Sequence, residues 1–153
     1  YKTVSSSSEL YARGYFYVSR SGIVENDDRY YFIVLAAGSN NVAYAGWRKT
    51  DGVIKWTLLI KSGTTSVIAY SATGPSLSRW YSVELHWEKD AINGLGELWV
   101  NGVKVCAIAG KNTASYGDVN QVRFGLPAIY NCGSTTAYCD CAKTAQSYIG
   151  PEP

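Results

Sequence analysis

The sequence has no methionine, a single histidine, three phenylalanines and no run of lysine or arginine. Each shortage removes something. A chain without an initiator methionine is expected to be a mature product after leader cleavage or a piece of a longer protein. Near-neutral charge, +2 overall, with no basic cluster removes the electrostatic case for nucleic acid or an anionic membrane. No apolar stretch reaches ten residues, so no helix long enough to cross a bilayer is expected. Charged residues make up only 17% of the chain while hydrophobic residues make up 46%, which excludes a disordered polymer. At 153 residues the chain suffices for one domain with a proper core.

What is plentiful is tyrosine and tryptophan, 13 and 5 residues. Both have an apolar body with a polar edge and suit half-exposed positions. β-rich domains favour them as well, which accounts for most of these rings. Alternation with period two recurs along the chain, and no helix longer than the short Asn112–Tyr116 candidate is expected. The alternating runs are 10–19, 29–37, 42–48, 53–61, 65–71, 80–89, 96–100, 104–109, 121–129 and 137–147, and Gly, Asn, Asp and Ser separate most of them. Asp51-Gly52 and Asn101-Gly102 have the chemistry of type I′ hairpin turns, whose two central residues need positive φ. Many short, evenly spaced strands predict an all-β fold, a two-sheet antiparallel sandwich or barrel. One domain over 1–150 is expected, with 151–153 as a tail or the start of a linker.

Alternation also assigns faces. Ala12, Gly14, Phe16 and Val18 point inward, as do Ile54, Trp56, Leu58 and Ile60, then Tyr81, Val83, Leu85 and Trp87, then Leu98 and Val100. Arg13, Tyr15 and Tyr17 are left on an outer face, together with Glu84, His86 and Trp99.

The cysteines are Cys106, Cys132, Cys139 and Cys141, an even count without Cys-x-x-Cys spacing or clustered histidine, which argues against zinc. Cys132 and Cys139 flank a Gly-Ser-Thr-Thr-Ala loop, so a disulfide from Cys132 to Cys139 or Cys141 is expected, with Cys106 taking the remaining partner. Four buried free thiols are the alternative. Disulfides would place the chain in an oxidising, extracellular compartment.

The run Trp80-Tyr81-Ser82-Val83-Glu84-Leu85-His86-Trp87, followed by a short Asn-Gly loop and Gly96-Glu97-Leu98-Trp99-Val100-Asn101-Gly102, resembles a hallmark of laminin-G-like and concanavalin A-like domains. Leu10–Tyr17 is similar to an early strand of that superfamily, and Tyr138–Gly150 to its closing strand. The resemblance implies a two-sheet jelly roll. It also implies a further strand before residue 10, where only nine residues stand, so an open sheet edge available for self-association is expected.

The superfamily includes lectins, carbohydrate-binding modules, glucanases and polysaccharide lyases, so fold does not settle function. A retaining glucanase needs two carboxyls about 5–5.5 Å apart. Glu84 and Glu88 share a face but stand four residues apart, about 13 Å along a strand. A lyase would use the His86 imidazole or a tyrosinate, with Tyr15 and Tyr17 on the same sheet, as base and Arg13 to neutralise a uronate, although the superfamily's Gln-x-His motif is absent. No Gly-x-Ser-x-Gly elbow supports serine hydrolysis. Glu25, Asp27 and Asp28 form a short acidic loop that could hold Ca²⁺, yet without the spacing of a recognised calcium motif. The reading favoured by the residues is a noncatalytic extracellular carbohydrate-binding module. Its glycan would stack on outer-face Tyr15, Tyr17 and Trp99 beside Arg13, Glu84 and His86. A filament or surface-layer subunit and a polysaccharide lyase are the alternatives.

Overall fold

A computed structural model describes all 153 residues. Eleven strands form two antiparallel sheets. The larger has the order β1(Lys2–Ser7), β10(Val119–Tyr130), β3(Arg29–Ala37), β4(Asn40–Thr50), β5(Val53–Ser62), β6(Thr65–Tyr70). The smaller has the order β11(Thr136–Ala145), β2(Glu9–Arg20), β7(Trp80–Glu88), β8(Gly94–Val100), β9(Val103–Lys111). The one helical turn is a 3₁₀ segment, Ala114–Tyr116, inside the stretch where the sequence allows a short helix.

The sheets meet over a core cluster of 26 buried residues. Every inward face read from alternation enters it: Phe16 and Val18, Trp56, Leu58 and Ile60, Val83, Leu85 and Trp87, Leu98 and Val100. The tryptophans of this core are stacked edge to face. Phe32 meets Trp47 at 5.5 Å, Trp47 meets Trp56 at 5.6 Å, and Trp56 meets Tyr81 at 5.0 Å, all at steep interplanar angles. This is the geometry the ring quadrupole favours. It accounts for part of the tyrosine and tryptophan surplus; Trp80, Tyr130, Tyr138 and Tyr148 stay exposed.

The hairpin turns follow their sequence. Asp51 and Gly52 have φ of 51° and 79°, Asn101 and Gly102 have φ of 50° and 78°. Two features lie outside simple alternation. The register of β3 against β4 slips at Phe32, so Phe32 and Ile33 both face the core and Tyr31 is left on the outer side. Gly46 lies opposite Tyr31 because nothing larger fits: a Cβ there would stand 2.1 Å from the Tyr30 carbonyl oxygen.

Two sequence expectations are corrected. The residues before Leu10 are not too few for a strand: Lys2–Ser7 pairs with β10 and completes the larger sheet. Its Ser/Thr-rich, largely exposed composition hides it from a hydrophobic reading. The expected disulfides are absent, because Cys106, Cys132, Cys139 and Cys141 are all free thiols. Cys106 packs against the β6 backbone, its sulfur 3.9 Å from the Ala69 carbonyl, and Cys132 donates to the Arg29 and Tyr130 carbonyls instead of bonding another sulfur.

Candidate functional site

The outer face of the five-stranded sheet carries the expected site residues in four cross-strand rows. Tyr138, Tyr17 and Trp80 form one row, Asp140, Tyr15 and Ser82 the next, and Arg13, Glu84 and Trp99 the third. Tyr11, His86 and Glu97 lie beyond. The sequence thus brings all six candidates to one surface, but the surface is divided.

The lower rows are occupied by the chain itself. Residues 146–152 leave β11 and cross back over the sheet. The Glu84 carboxylate accepts the backbone N–H groups of Ile149 and Gly150 at 2.8 and 3.0 Å. Arg13 donates to the Gly150 carbonyl at 3.0 Å and pairs with Glu152. Tyr148 packs on Trp99 with centroids 4.9 Å apart. Arg13 and Glu84 are therefore buried, at 1% and 2% exposure. A carboxylate and a guanidinium on an outer sheet face are expensive to desolvate unless paired, and here the crossing segment supplies the partners. The outward geometry was legible from alternation. The cover was not, because a segment with only Tyr148 and Ile149 as apolar anchors carries no periodic signal.

His86 is held on both sides. Its Nδ1 lies 2.9 Å from Glu97, its Nε2 lies 3.0 Å from Glu9, and its ring stacks on Tyr11 at 3.9 Å. Both ring nitrogens are thus engaged by carboxylates and one face of the ring is covered by Tyr11. Burial pushes the Glu97 carboxyl up, but hydrogen bonds from Lys104 and His86 outweigh it and hold the group below its ordinary value.

The upper rows are open. Trp80 and Tyr138 are 48% and 56% exposed and flank Tyr17, at centroid distances of 5.6 and 6.1 Å. Next to them is a cleft of about 330 Å³ lined by Tyr15, Trp80, Asp140, Cys141, Glu152 and Pro153. The Tyr15 hydroxyl accepts the Glu152 backbone N–H at 2.6 Å, so the end of the crossing segment forms one wall. Tyr15 and Tyr17 were candidates from sequence. Trp80 and Tyr138 were missed, although the alternation that places Tyr81 in the core places Trp80 outside it.

The acidic loop is bonded internally and to Arg48 of β4. Both Val24 and Glu25 donate backbone N–H groups to one Asp28 oxygen at 2.8 Å, and Asp27 pairs with Arg48 at 2.6 Å. The Arg48 hydrogen bond holds the Asp27 carboxyl below its usual range, and the backbone donors, Glu25 first, do the same for Asp28. Glu25 is exposed beside them. These contacts fix the loop.

No protein-family model matches the sequence, and no curated protein matches it. Solved structures do match its fold. A glucuronan lyase from Trichoderma reesei superposes with a TM-score of 0.62 at 14% identity, over 91% of this chain and 68% of that one. A pentraxin from Limulus polyphemus gives 0.60 at 13% identity, over 94% and 66%. A homodimeric agglutinin from chicken liver gives 0.51 at 12% identity, over 92% of both chains. The chain spans about two thirds of the length of the first two. It has the concanavalin A-like jelly-roll fold, which an enzyme and a lectin share here. No helix is long and apolar enough to cross a membrane.

Proposed function

We propose that this chain is a noncatalytic, extracellular carbohydrate-binding module whose glycan lies on the open half of the five-stranded sheet. The observation that carries the reading is the row of exposed Tyr138 and Trp80 around half-buried Tyr17, beside the cleft at Tyr15 and Asp140. Sugar rings expose C–H faces that stack on aromatic rings, and their hydroxyls need fixed polar partners. The row supplies the first, and the carboxylates of Asp140 and Glu152 supply the second. Exposed Tyr138 and Trp80 on either side of half-buried Tyr17 cost solvation that a folded monomer ordinarily avoids, so a surface of this kind is kept for a partner. The engagement of His86 by Glu9 and Glu97 favours binding over the lyase chemistry that residue would otherwise serve.

Affinity electrophoresis in gels containing neutral glucans, mannans and xylans tests the proposal. Retardation by at least one is expected, with a loss of about tenfold in affinity, some 1.4 kcal/mol, for Trp80→Ala or Tyr17→Ala while the melting temperature holds. No retardation of a folded domain by any neutral glycan would overturn it. Size-exclusion chromatography should give a monomer over a wide concentration range; concentration-dependent assembly would favour a filament or surface-layer subunit instead.

A further inference from the structure

The charges of the two sheets are segregated. No Asp or Glu stands in any of the six strands of the larger sheet. Every strand carboxylate, Glu9, Glu84, Glu88, Glu97 and Asp140, belongs to the smaller one. On the outer side of the larger sheet, away from the main core, Tyr31, Val34 and Tyr44 form a second buried cluster. Arg29 and Arg48 are cross-strand neighbours at one end of it, and Arg123 is paired with Val34 across it. Asp27, in the loop before β3, answers Arg48.

A cleft of about 160 Å³ opens here, lined by Arg29, Tyr31, Tyr44, Lys61, Ser66 and Tyr130, with Leu59 at its base. The Arg29 guanidinium lies over the Tyr130 ring at 4.3 Å, which leaves an aromatic wall backed by a cation. The Tyr31 hydroxyl is buried without any hydrogen-bond partner in a residue only 1% exposed, and the Arg48 Nε is equally unpartnered. Native structures seldom leave a buried hydroxyl unpaired, since the lost solvation is a direct cost, and an unpaired one at a cleft marks where an outside acceptor belongs. Burial pushes the Tyr31 hydroxyl up to about 12, so it remains a proton donor at physiological pH.

We propose that this cleft is a second saccharide site, selective for an acidic sugar unit of a polyuronate chain. The carboxylate would sit between Arg29 and Lys61, the Tyr31 hydroxyl would donate to it, and Tyr130 would take the ring face. A planar guanidinium matches a carboxylate in two parallel hydrogen bonds, and strands that carry Arg and Lys but no carboxylate, with Asp27 held on Arg48, concentrate such a polymer. This site and the Trp80 row are on opposite faces of the sandwich, so either can stand without the other.

Affinity electrophoresis with polygalacturonate and polyglucuronate, against dextran and dextran sulfate, decides it. Polyuronate retardation is expected, weakening as salt rises. The double variant Arg29→Gln/Lys61→Gln should lose it by tenfold or more, and Tyr31→Phe by severalfold. Tyr31→Phe should also melt at the same or a higher temperature, because it deletes a hydroxyl that has no partner in the free protein. Trp80→Ala should leave polyuronate binding unchanged. The proposal is overturned by any of four results: no retardation by polyuronates, equal retardation of parent and Tyr31→Phe, stronger retardation by dextran sulfate than by either polyuronate, or loss of polyuronate binding in Trp80→Ala.

Discussion

Single residues in this protein act mostly through the backbone they hold. Asp28 is the clearest instance. Its carboxylate accepts two consecutive N–H groups and fixes the loop that leads into β3, while its own carbonyl accepts from Lys49 of β4. Because those donors favour the charged form, the carboxyl is held below its ordinary value in the folded state. The sign follows from linkage. A group whose acidity is strengthened by folding contributes stability above its unfolded value, near pH 4, and loses it as pH falls through the lower folded value. Asp28→Asn should therefore be less stable than the parent at pH 6, and the gap should narrow as pH falls below about 4. Urea denaturation midpoints across that range check it; a gap that stays constant with pH would assign the role to shape and not to charge. The sequence made this cluster visible as an acidic loop. It could not show that one Asp28 oxygen is engaged by two backbone donors, since such donors have no side-chain signature.

At the scale of elements, the strands were legible and the connections between surfaces were not. Period-two alternation placed ten of the strands within a few residues, because each buries one apolar face. β1 escaped, with only Val4 packing on the core, and so did the bulge at Phe32, which breaks the alternation it would be read from. The segment after β11 also escaped, and it decides which half of the five-stranded sheet is free. It is held by Glu84, Arg13 and Trp99, with few apolar contacts of its own. Such an element should open without global unfolding. Glu84→Gln removes the charge from two hydrogen bonds and leaves a less suitable acceptor, at a cost of about 1–3 kcal/mol that falls mainly on this segment. Hydrogen exchange should show faster exchange at Ile149 and Gly150 in that variant and in Trp99→Ala, with β7 and β8 as protected as in the parent. Equal loss of protection in β7 would mean that Glu84 holds the sheet and not the segment.

The whole molecule is held by its core and not by cross-links. Twenty-six residues form one continuous buried cluster between the sheets, and this interior suffices for a chain of 153 residues. The even cysteine count suggested staples, and the hairpin-like spacing of Cys132 and Cys139 suggested where. Spacing along a chain does not report separation in space, however. Cys106 sits on β9 against β6, far in the fold from the other three, and Cys132 spends its thiol on the carbonyls of Arg29 and Tyr130. Burial pushes the Cys106 thiol up to about 12 and raises the other three as well, with the Asp140 carboxylate adding to the effect at Cys139 and Cys141. Thiols held in their protonated form are poor nucleophiles, so they resist both oxidation and alkylation. Native and reduced protein should then have the same intact mass, and reductant should leave the melting temperature where it was. Iodoacetamide near neutral pH should reach the exposed Cys139 and Cys141 first, slowly, and Cys106 only once the sandwich is unfolded. A native mass lighter by two hydrogens for each bond, or a melting temperature that drops on reduction, would show that cross-links form after all and that the closing strand depends on them.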